Sequence, residues 1–163
     1  MSIYKFLYRS PIGPILITSD DFQLLSISFS NDQDTSKEIP ENLPLIIAVR
    51  WLDAYFSGQP EPIESVPALV NGTDFQKQCW QELCRIPYGQ TITYKELANR
   101  VGTHRGVMRM SCQAVGQAIR KNPFAILIPC HRVIGSNGDL IGYAWGLEFK
   151  RELLAYERKK CCD

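Results

Sequence analysis

Residues 93–123 read TYKELANRVGTHRGVMRMSCQAVGQAIRKNP, and this stretch predicts two short helices joined by a turn. The first helix begins at a capping box opened by Thr93, and Gly102 is expected to end it. The second helix begins near Ser111 and ends at Asn122, because a residue followed by proline is pushed out of the helical region. Two such helices, the second one basic, are typical of a helix-turn-helix that lays its second helix in a groove of DNA.

Charge is distributed unevenly along the chain, although the formal net charge is only +1. Residues 1–72 carry 4 Lys and Arg against 9 Asp and Glu, whereas residues 73–163 carry 14 against 8. No acid lies between Glu96 and Asp139, a window that holds six basic residues and both histidines, namely Arg100, Arg105, Arg109, Arg120, Lys121, Arg132, His104 and His131. Basic charge concentrated in this way is typical of a surface for a polyanion, and the lack of acids favours nucleic acid.

The first third of the chain predicts an antiparallel meander. Three short segments rich in β-forming residues are separated by turn residues: 3–8, 15–18 and 24–29. Residues 30–44 are polar and predict a loop, and a helix with apolar residues at helical spacing follows and ends at Gly58. A proline-rich connector then places a domain boundary near Gly72, which divides the chain into domains 1–72 and 73–163.

Two further helices are predicted in the second part of the chain. A capping box formed by Thr73 and Gln76 opens the first of them. The last helix covers residues 147–160, and Glu157 lies on its apolar stripe, two helical turns after Phe149. A carboxylate on an apolar stripe is costly unless it has a partner, so Glu157 either reaches solvent near the helix end or meets a buried base.

The segment PFAILIPCHRVIG at residues 123–135 places a thiol at the end of an apolar run. Thiolate is the nucleophilic form, and apolar burial raises the pKa of a thiol, so Cys130 needs a base. His131 is the neighbouring base and Glu157 is the candidate to orient it, which is the general arrangement of an activated nucleophile. Consecutive residues of an extended chain point to opposite faces, so a turn or a bridging water must connect Cys130 with His131.

The cysteine pattern argues against a structural metal site. The chain has 6 Cys and 2 His, and no Cys-x-x-Cys pair occurs. Cys79, Cys84 and Cys112 fall in helical patterns and are expected to be small buried residues, whereas the pair at 161–162 lies in a polar tail. The N-terminus does not have the pattern of a signal peptide and no run reaches transmembrane length, so we expect a cytoplasmic protein with reduced thiols.

The segment IPCHRVIGSNG, followed by GYAWG and KRELLAYE, resembles the O6-alkylguanine-DNA alkyltransferases, also called methylated-DNA–protein-cysteine methyltransferases. The blocks FQKQCWQELCRIPYGQTITYKELA and AVGQAIRKNP also match, so the resemblance covers residues 73–157. The N-terminal third matches more loosely, through its strands and SPIGPI. The resemblance implies an α+β fold, in which a small α/β domain with a ribonuclease-H-like antiparallel sheet precedes a mostly helical, winged-helix-like domain.

The resemblance also implies a suicide DNA-repair protein that takes an alkyl group from guanine O6 onto its own cysteine. It would act as a monomer and without a cofactor. It would bind the minor groove of double-stranded DNA, from which the alkylated base has been flipped. Whether it also accepts O4-alkylthymine is left open by the resemblance. Cys130 is then the nucleophile, and His131, acting through a water and oriented by Glu157, is its base. Tyr94 helps to turn the guanine out and donates a proton to the leaving base, and Asn122 is the hinge between recognition helix and active-site strand.

Further positions follow from the same resemblance. Val133 and the backbone near Ala144 would line the guanine pocket, and Trp145 would narrow it, which favours methyl over larger alkyl groups. Ala114 would let the recognition helix pack closely against the minor groove, and Arg120 belongs to the same DNA-binding helix.

The sequence departs from the family pattern at two places, and both concern DNA binding. Gln113 stands where the family usually has an arginine that fills the gap left by the flipped base, and the turn before it, GTHRGVMRMS, is several residues longer than usual. Arg109 or Arg105 is the candidate substitute.

Three other functions fit parts of the pattern. A non-enzymatic sensor would bind alkylated DNA and recruit other repair proteins, but it requires the nucleophile to be absent. A cysteine hydrolase would use Cys130 and His131 for repeated turnover and would leave the basic helices without a role. A helix-turn-helix regulator would need a dimer and a preferred DNA sequence.

Overall fold

The structure is a computed structural model that describes residues 1–33 and 38–162. Part of the predicted loop, residues 34–37, lies outside the described residues. Among the described residues, no helix combines the length and the apolar character that crossing a membrane requires.

The chain divides into two compact units. The first contains Met1–Val70 together with Pro123–Leu127, and the second contains Asn71–Asn122 and the chain from Ile128 onward. A single boundary near Gly72 therefore does not describe the apolar segment at residues 123–127, which the sequence had placed in the second domain.

The described residues of the first unit form a three-stranded antiparallel sheet, one α-helix and a short 3-10 helix, Ile63–Ser65. Strands β1 (Tyr4–Ser10), β2 (Gly13–Ser19) and β3 (Leu24–Phe29) pair in chain order, which confirms the predicted meander. Helix α1 (Leu43–Phe56) packs on the three strands. It begins within the predicted loop, because the side chain of Asn42 caps its N-terminus and Pro44 is tolerated in a first turn.

The apolar segment Pro123–Leu127 joins this unit through backbone hydrogen bonds to β3. The N–H of Ile27 donates to the carbonyl of Pro123 over 3.0 Å, and the N–H of Ala125 donates to the carbonyl of Ile27 over 2.8 Å. Phe124 and Ala125 are fully buried. The segment thereby satisfies both backbone groups of Ile27, which an isolated edge strand would leave to solvent.

The second unit is built from four helices and a small parallel sheet. Its elements, in chain order, are α2 (Asp74–Leu83), β4 (Ile92–Thr93), α3 (Tyr94–Arg105), α4 (Cys112–Arg120), β5 (Val133–Ile134) and α5 (Leu147–Cys161). Helices α2, α3 and α4 pack against one another, and β4 pairs with β5. The indole N–H of Trp80 donates to the carbonyl of Ala118 over 3.0 Å, which fixes α2 against α4.

The predicted helix starts are correct in this unit. Thr73 and Gln76 form both hydrogen bonds of the capping box at α2. The hydroxyl of Thr93 accepts the N–H of Glu96 over 3.1 Å at the start of α3, and the hydroxyl of Ser111 caps α4 in the same way. These short-range signals are reliable because cap and recipient lie three residues apart in the sequence.

The predicted end of α3 at Gly102 is wrong. The helix continues to Arg105 and ends at Gly106, which adopts the left-handed conformation with φ of 69°. Gly102 is instead needed for close packing, because a Cβ atom there would lie 2.9 Å from the carbonyl oxygen of Val107. The N–H of Val107 also donates to the carbonyl of Gly102 over 2.8 Å, so the turn after α3 folds back on this glycine.

We expect Gly102→Ala to destabilise the protein by about 1–2 kcal/mol, because the backbone carbonyl of Val107 must move to admit the methyl group. Gly116→Ala is the matched control in α4, since its Cβ would meet only the ring of Tyr94, at 3.9 Å, and alanine favours a helix by up to about 1 kcal/mol. Urea unfolding of both variants measures the difference. Equal midpoints would contradict the assigned role of Gly102.

Candidate active site

Cys130 lies on a single 3-10 turn, Cys130–Arg132, directly after Pro129. The expected active-site strand is therefore wrong at this residue, and the chain changes direction here through a turn. The thiol is buried, with 5% of the residue exposed. The amide of Asn122 donates to the carbonyl of Ile128 over 2.8 Å and lies 3.4 Å from the Cys130 sulfur.

His131 and Glu157 meet in the interior, as the functional interpretation of Glu157 requires. Nε2 of His131 lies 2.5 Å from Oε2 of Glu157, and both side chains are almost completely buried. Nε2 faces a carboxylate and therefore carries the proton of the neutral ring, which leaves Nδ1 as the proton acceptor. Nδ1 is buried and has no hydrogen-bond partner among the described residues.

Arg132 completes this network, and the sequence analysis missed its role. Its Nε donates to Oε1 of Glu157 over 2.6 Å, and its guanidinium donates to the carbonyl of Ile86 over 2.8 Å. The guanidinium also lies over the ring of Tyr88, 5.7 Å from its centre. Arg132 and His131 were counted in the basic window as surface charge, but both are buried and belong to the site.

Burial and charge set the protonation states. Burial raises the pKa of Cys130 to about 11, so the sulfur is a thiol that reacts only with help from a base. Burial likewise lowers the pKa of His131, against the attraction of Glu157, so the ring is neutral. Burial would raise the pKa of Glu157, but His131, Arg132 and the N–H of Gly89 outweigh it and lower the pKa to about 2.

Lys150 is a second residue that the sequence analysis missed. It is fully buried on α5, and its ammonium donates to the carbonyl of Gly142 over 3.1 Å. Burial lowers its pKa to about 8, and its charge lowers the pKa of the Cys130 thiol. Lys150 precedes Glu157 by seven residues, so the helical spacing that singled out Glu157 places both on one face.

The glycine loop, residues 135–146, closes the space above Cys130. The hydroxyl of Tyr94 donates to the carbonyl of Ile141 over 2.5 Å, and the cavity at the sulfur has a volume of only about 10 Å³. Tyr143 lines this cavity, and its buried hydroxyl has no partner in the described part of the chain. No pattern in the sequence distinguishes Tyr143 from Trp145, the other aromatic residue of the loop.

The remaining pocket residues are divided between this cavity and the surrounding core. Ala144 lines the cavity, whereas Val133 is fully buried in β5. Trp145 does not line it, and its ring packs edge-on against Tyr143 at 5.1 Å. Any effect of Trp145 on the pocket therefore passes through Tyr143.

A wider groove of about 600 Å³ runs along α4. Tyr94, Gln113, Gly116 and Arg120 are among the residues that line it, and Arg120 also borders the cavity at Cys130. Ala114 is half-buried on α4 and does not line the groove.

The two candidate arginines differ in their surroundings. Arg105 donates to Gln78 over 2.7 Å and lies over the ring of Phe75, so it is held against α2. Arg109 is exposed in the turn before α4.

None of the described residues form a cluster of three or more His, Cys, Asp or Glu able to hold a metal ion. The cysteines are free thiols; Cys79 is buried as expected, whereas Cys112 is exposed. An exposed Cys112 departs from the expected small buried residue because it occupies the first position of α4, at the edge of the groove.

Comparison with known proteins agrees with this geometry. The family model of the 6-O-methylguanine DNA methyltransferase DNA binding domain matches residues 74–159, and that of the 6-O-methylguanine DNA methyltransferase ribonuclease-like domain matches residues 3–70. The chain belongs to the 6-O-methylguanine DNA methyltransferase family.

Individual relatives match over nearly the whole chain. A methylated-DNA–protein-cysteine methyltransferase of Methanosarcina barkeri is 46% identical over 95% of this chain and 97% of its own. The crystal structure of a Mycobacterium tuberculosis O6-methylguanine methyltransferase superposes with a TM-score of 0.79 at 34% identity, covering 98% of this chain and 94% of that one. A Mycobacterium tuberculosis OGT in complex with DNA gives 0.78 at 36% identity, covering 94% and 92%.

We expect acid to weaken the fold through Glu157. The pKa of Glu157 is lowered in the folded state. Its contribution to the free energy of unfolding is therefore complete at pH values above the usual pKa of 4.5, and it is lost as the pH falls towards 2. At pH 3 the loss is about 2 kcal/mol. Glu157→Gln should lose less stability between pH 5 and pH 3 than wild type, as measured by urea unfolding at each pH, and parallel pH profiles would contradict the assigned ionisation.

We expect Tyr94→Phe to make Cys130 more reactive towards iodoacetamide, by about threefold to tenfold, because it removes the hydrogen bond that closes the glycine loop. Peptide mass spectrometry measures the rate at Cys130. The exposed Cys112 is the internal control and should react equally in both proteins. An unchanged rate at Cys130 would show that this hydrogen bond does not control access.

Proposed function

We propose that this protein repairs DNA directly, by transferring an alkyl group from O6 of guanine to its own Cys130. The observation that carries the proposal is a buried thiol, Cys130, followed directly in the chain by a buried His131 that pairs with Glu157, with the cavity at Cys130 next to the groove of a helix-turn-helix. Membership in a methyltransferase family, and a relative solved in complex with DNA, support the same conclusion. The exposed face of α4, with Gln113 and Arg120, would bind the minor groove.

The chemistry follows from the protonation states. His131 Nδ1 takes the proton of the Cys130 thiol through a bridging water, and the ionised Glu157 stabilises the imidazolium that forms. The thiolate attacks the alkyl carbon, a carbon–sulfur bond forms, and the carbon–oxygen bond breaks with its electrons moving to guanine. Tyr94 donates a proton to the leaving base and is reprotonated afterwards, so no cofactor is needed.

The proposed reaction requires two movements: the base must leave the duplex, and the glycine loop must move away from Cys130. An alkyl group on O6 is out of reach inside a stacked duplex, so the nucleotide must be turned out, at a cost of a few kcal/mol. A volume of about 10 Å³ at Cys130 does not admit a guanine. Tyr94, which lines the groove and holds the glycine loop, is placed to exchange the carbonyl of Ile141 for the incoming base.

The product limits each molecule to one reaction. A thioether at Cys130 is stable, because a thiolate is a poor leaving group from an alkyl carbon. We propose that the reaction takes place in the cytoplasm, because the free thiol must stay reduced. We also propose that the protein acts as a monomer, since one chain supplies every residue of the proposed site. The lesion-sensor alternative has no support from the site, since the nucleophile and its base network are both present.

The decisive test is the mass of the protein after incubation with a duplex that contains O6-methylguanine. We expect wild type to gain the mass of one CH₂ unit, located on the peptide of Cys130, with one transfer per molecule. Cys130→Ala should gain nothing. Glu157→Gln should react about 100-fold more slowly, because the base loses its orientation.

Wild type that keeps its mass under these conditions would overturn the proposal. Methylation at Cys112 in place of Cys130 would also overturn it, since that thiol is exposed and outside the base network.

A further inference from the structure

The turn between α3 and α4 exposes an apolar side chain in the middle of the acid-free window. Met108 is as exposed as a free residue, at 101%, and Val107 beside it is exposed by 43%. Arg109 follows and is also exposed. We call Val107, Met108 and Arg109 the turn tip. Single exposed apolar residues are common, but here two adjacent ones lie in the acid-free window and directly precede a cation, a combination that points to a partner with both apolar and anionic parts.

The turn tip is held by fixed contacts at both ends. Gly106 adopts the left-handed conformation and the N–H of Val107 donates to Gly102. Met110 packs against the same glycine, where its Cβ lies 3.3 Å from the position of a Cβ on Gly102. Ser111 then caps α4. Met108 is therefore presented outward by a built turn.

The turn tip lies just before α4 in the sequence, and the first residues of α4 line the groove. Cys112 and Gln113, the first two residues of α4, line that groove, and the turn tip precedes them by only a few residues. Gln113 is uncharged, and Arg105 is held by Gln78 and Phe75. Lys95 and Arg120 line the groove itself, and Arg109 is the nearest cation that precedes Cys112 in the sequence.

We propose that the turn tip is a wedge for duplex DNA at the lesion. Met108 inserts between base steps next to the flipped nucleotide, and Arg109 binds a backbone phosphate. Apolar side chains such as methionine are used in this way by proteins that bend DNA in the minor groove, where they partly unstack a base step. A flexible thioether also adapts to the irregular space that a missing base leaves. The inference rests on the proposed function, because it assigns the turn tip to the same lesion-bearing duplex.

The first experiment measures unstacking without chemistry. Proteins carrying Cys130→Ala are mixed with a duplex that holds 2-aminopurine beside O6-methylguanine, and the fluorescence rise reports the opened base step. We expect Met108→Ala to reduce the rise at saturating protein, whereas Phe22→Ser should not change it. Phe22 is the matched control because it is 81% exposed on the turn between β2 and β3.

The second experiment measures transfer with the Cys130 proteins. Met108→Ala should slow transfer from the duplex by at least about tenfold. Transfer from O6-methylguanine as a free nucleoside should be unchanged, because the nucleoside needs no unstacking. The slope of log K for duplex binding against log salt concentration reports the number of phosphate contacts. Arg109→Ala should reduce this slope by the equivalent of about one contact, and Met108→Ala should leave it unchanged.

The outcomes separate this proposal from the proposed function. An unchanged fluorescence rise with Met108→Ala overturns the wedge, and so does an equal loss of rate on duplex and free nucleoside. Failure of wild type to accept a methyl group overturns the proposed function, while the fluorescence assay still decides the wedge. If Met108→Ala changes neither DNA assay, the turn tip serves another partner and the assignment to DNA is wrong.

Discussion

One buried carboxylate organises the second unit. Glu157 uses one oxygen for His131 and the other for Arg132, and Arg132 extends the connection to the carbonyl of Ile86. Removing one partner of such a buried pair typically costs about 3–5 kcal/mol, because the remaining charge has no compensation. The interaction that fixes α5 to the turn of Cys130 is therefore also the one that gives His131 its tautomer, so the catalytic geometry cannot be lost without loss of stability.

Under the proposed function, the site keeps the Cys130 thiol protonated until the substrate arrives. Burial raises the pKa of Cys130, and the glycine loop covers the sulfur. Lys150 and Asn122 act in the opposite direction, since both stabilise a negative sulfur. Under the proposed function this balance suits a protein that can use its thiol once, because the buried thiol is protected from small electrophiles and Nδ1 of His131 has no other hydrogen-bond partner among the described residues.

Features fixed by neighbouring residues could be predicted from the sequence, whereas those that depend on distant partners could not. The caps at Thr73 and Ser111 and the strands of the meander follow from local patterns. Glu157 was found because a charge on an apolar stripe demands a partner. The end of α3 was misplaced because Gly102 serves packing, and Arg132 was taken for surface charge because its carboxylate partner lies 25 residues away.

Residues 123–127 have a consequence for how the protein can be divided. The backbone of this run hydrogen-bonds to Ile27, a residue nearly a hundred positions earlier, and the chain reaches the nucleophile only three residues after the run ends. A fragment cut at the apparent domain junction would retain the run and lose Ile27. The apolar side chains of the run would then be left uncovered immediately upstream of Cys130, so such a fragment is expected to expose part of the core of the first unit.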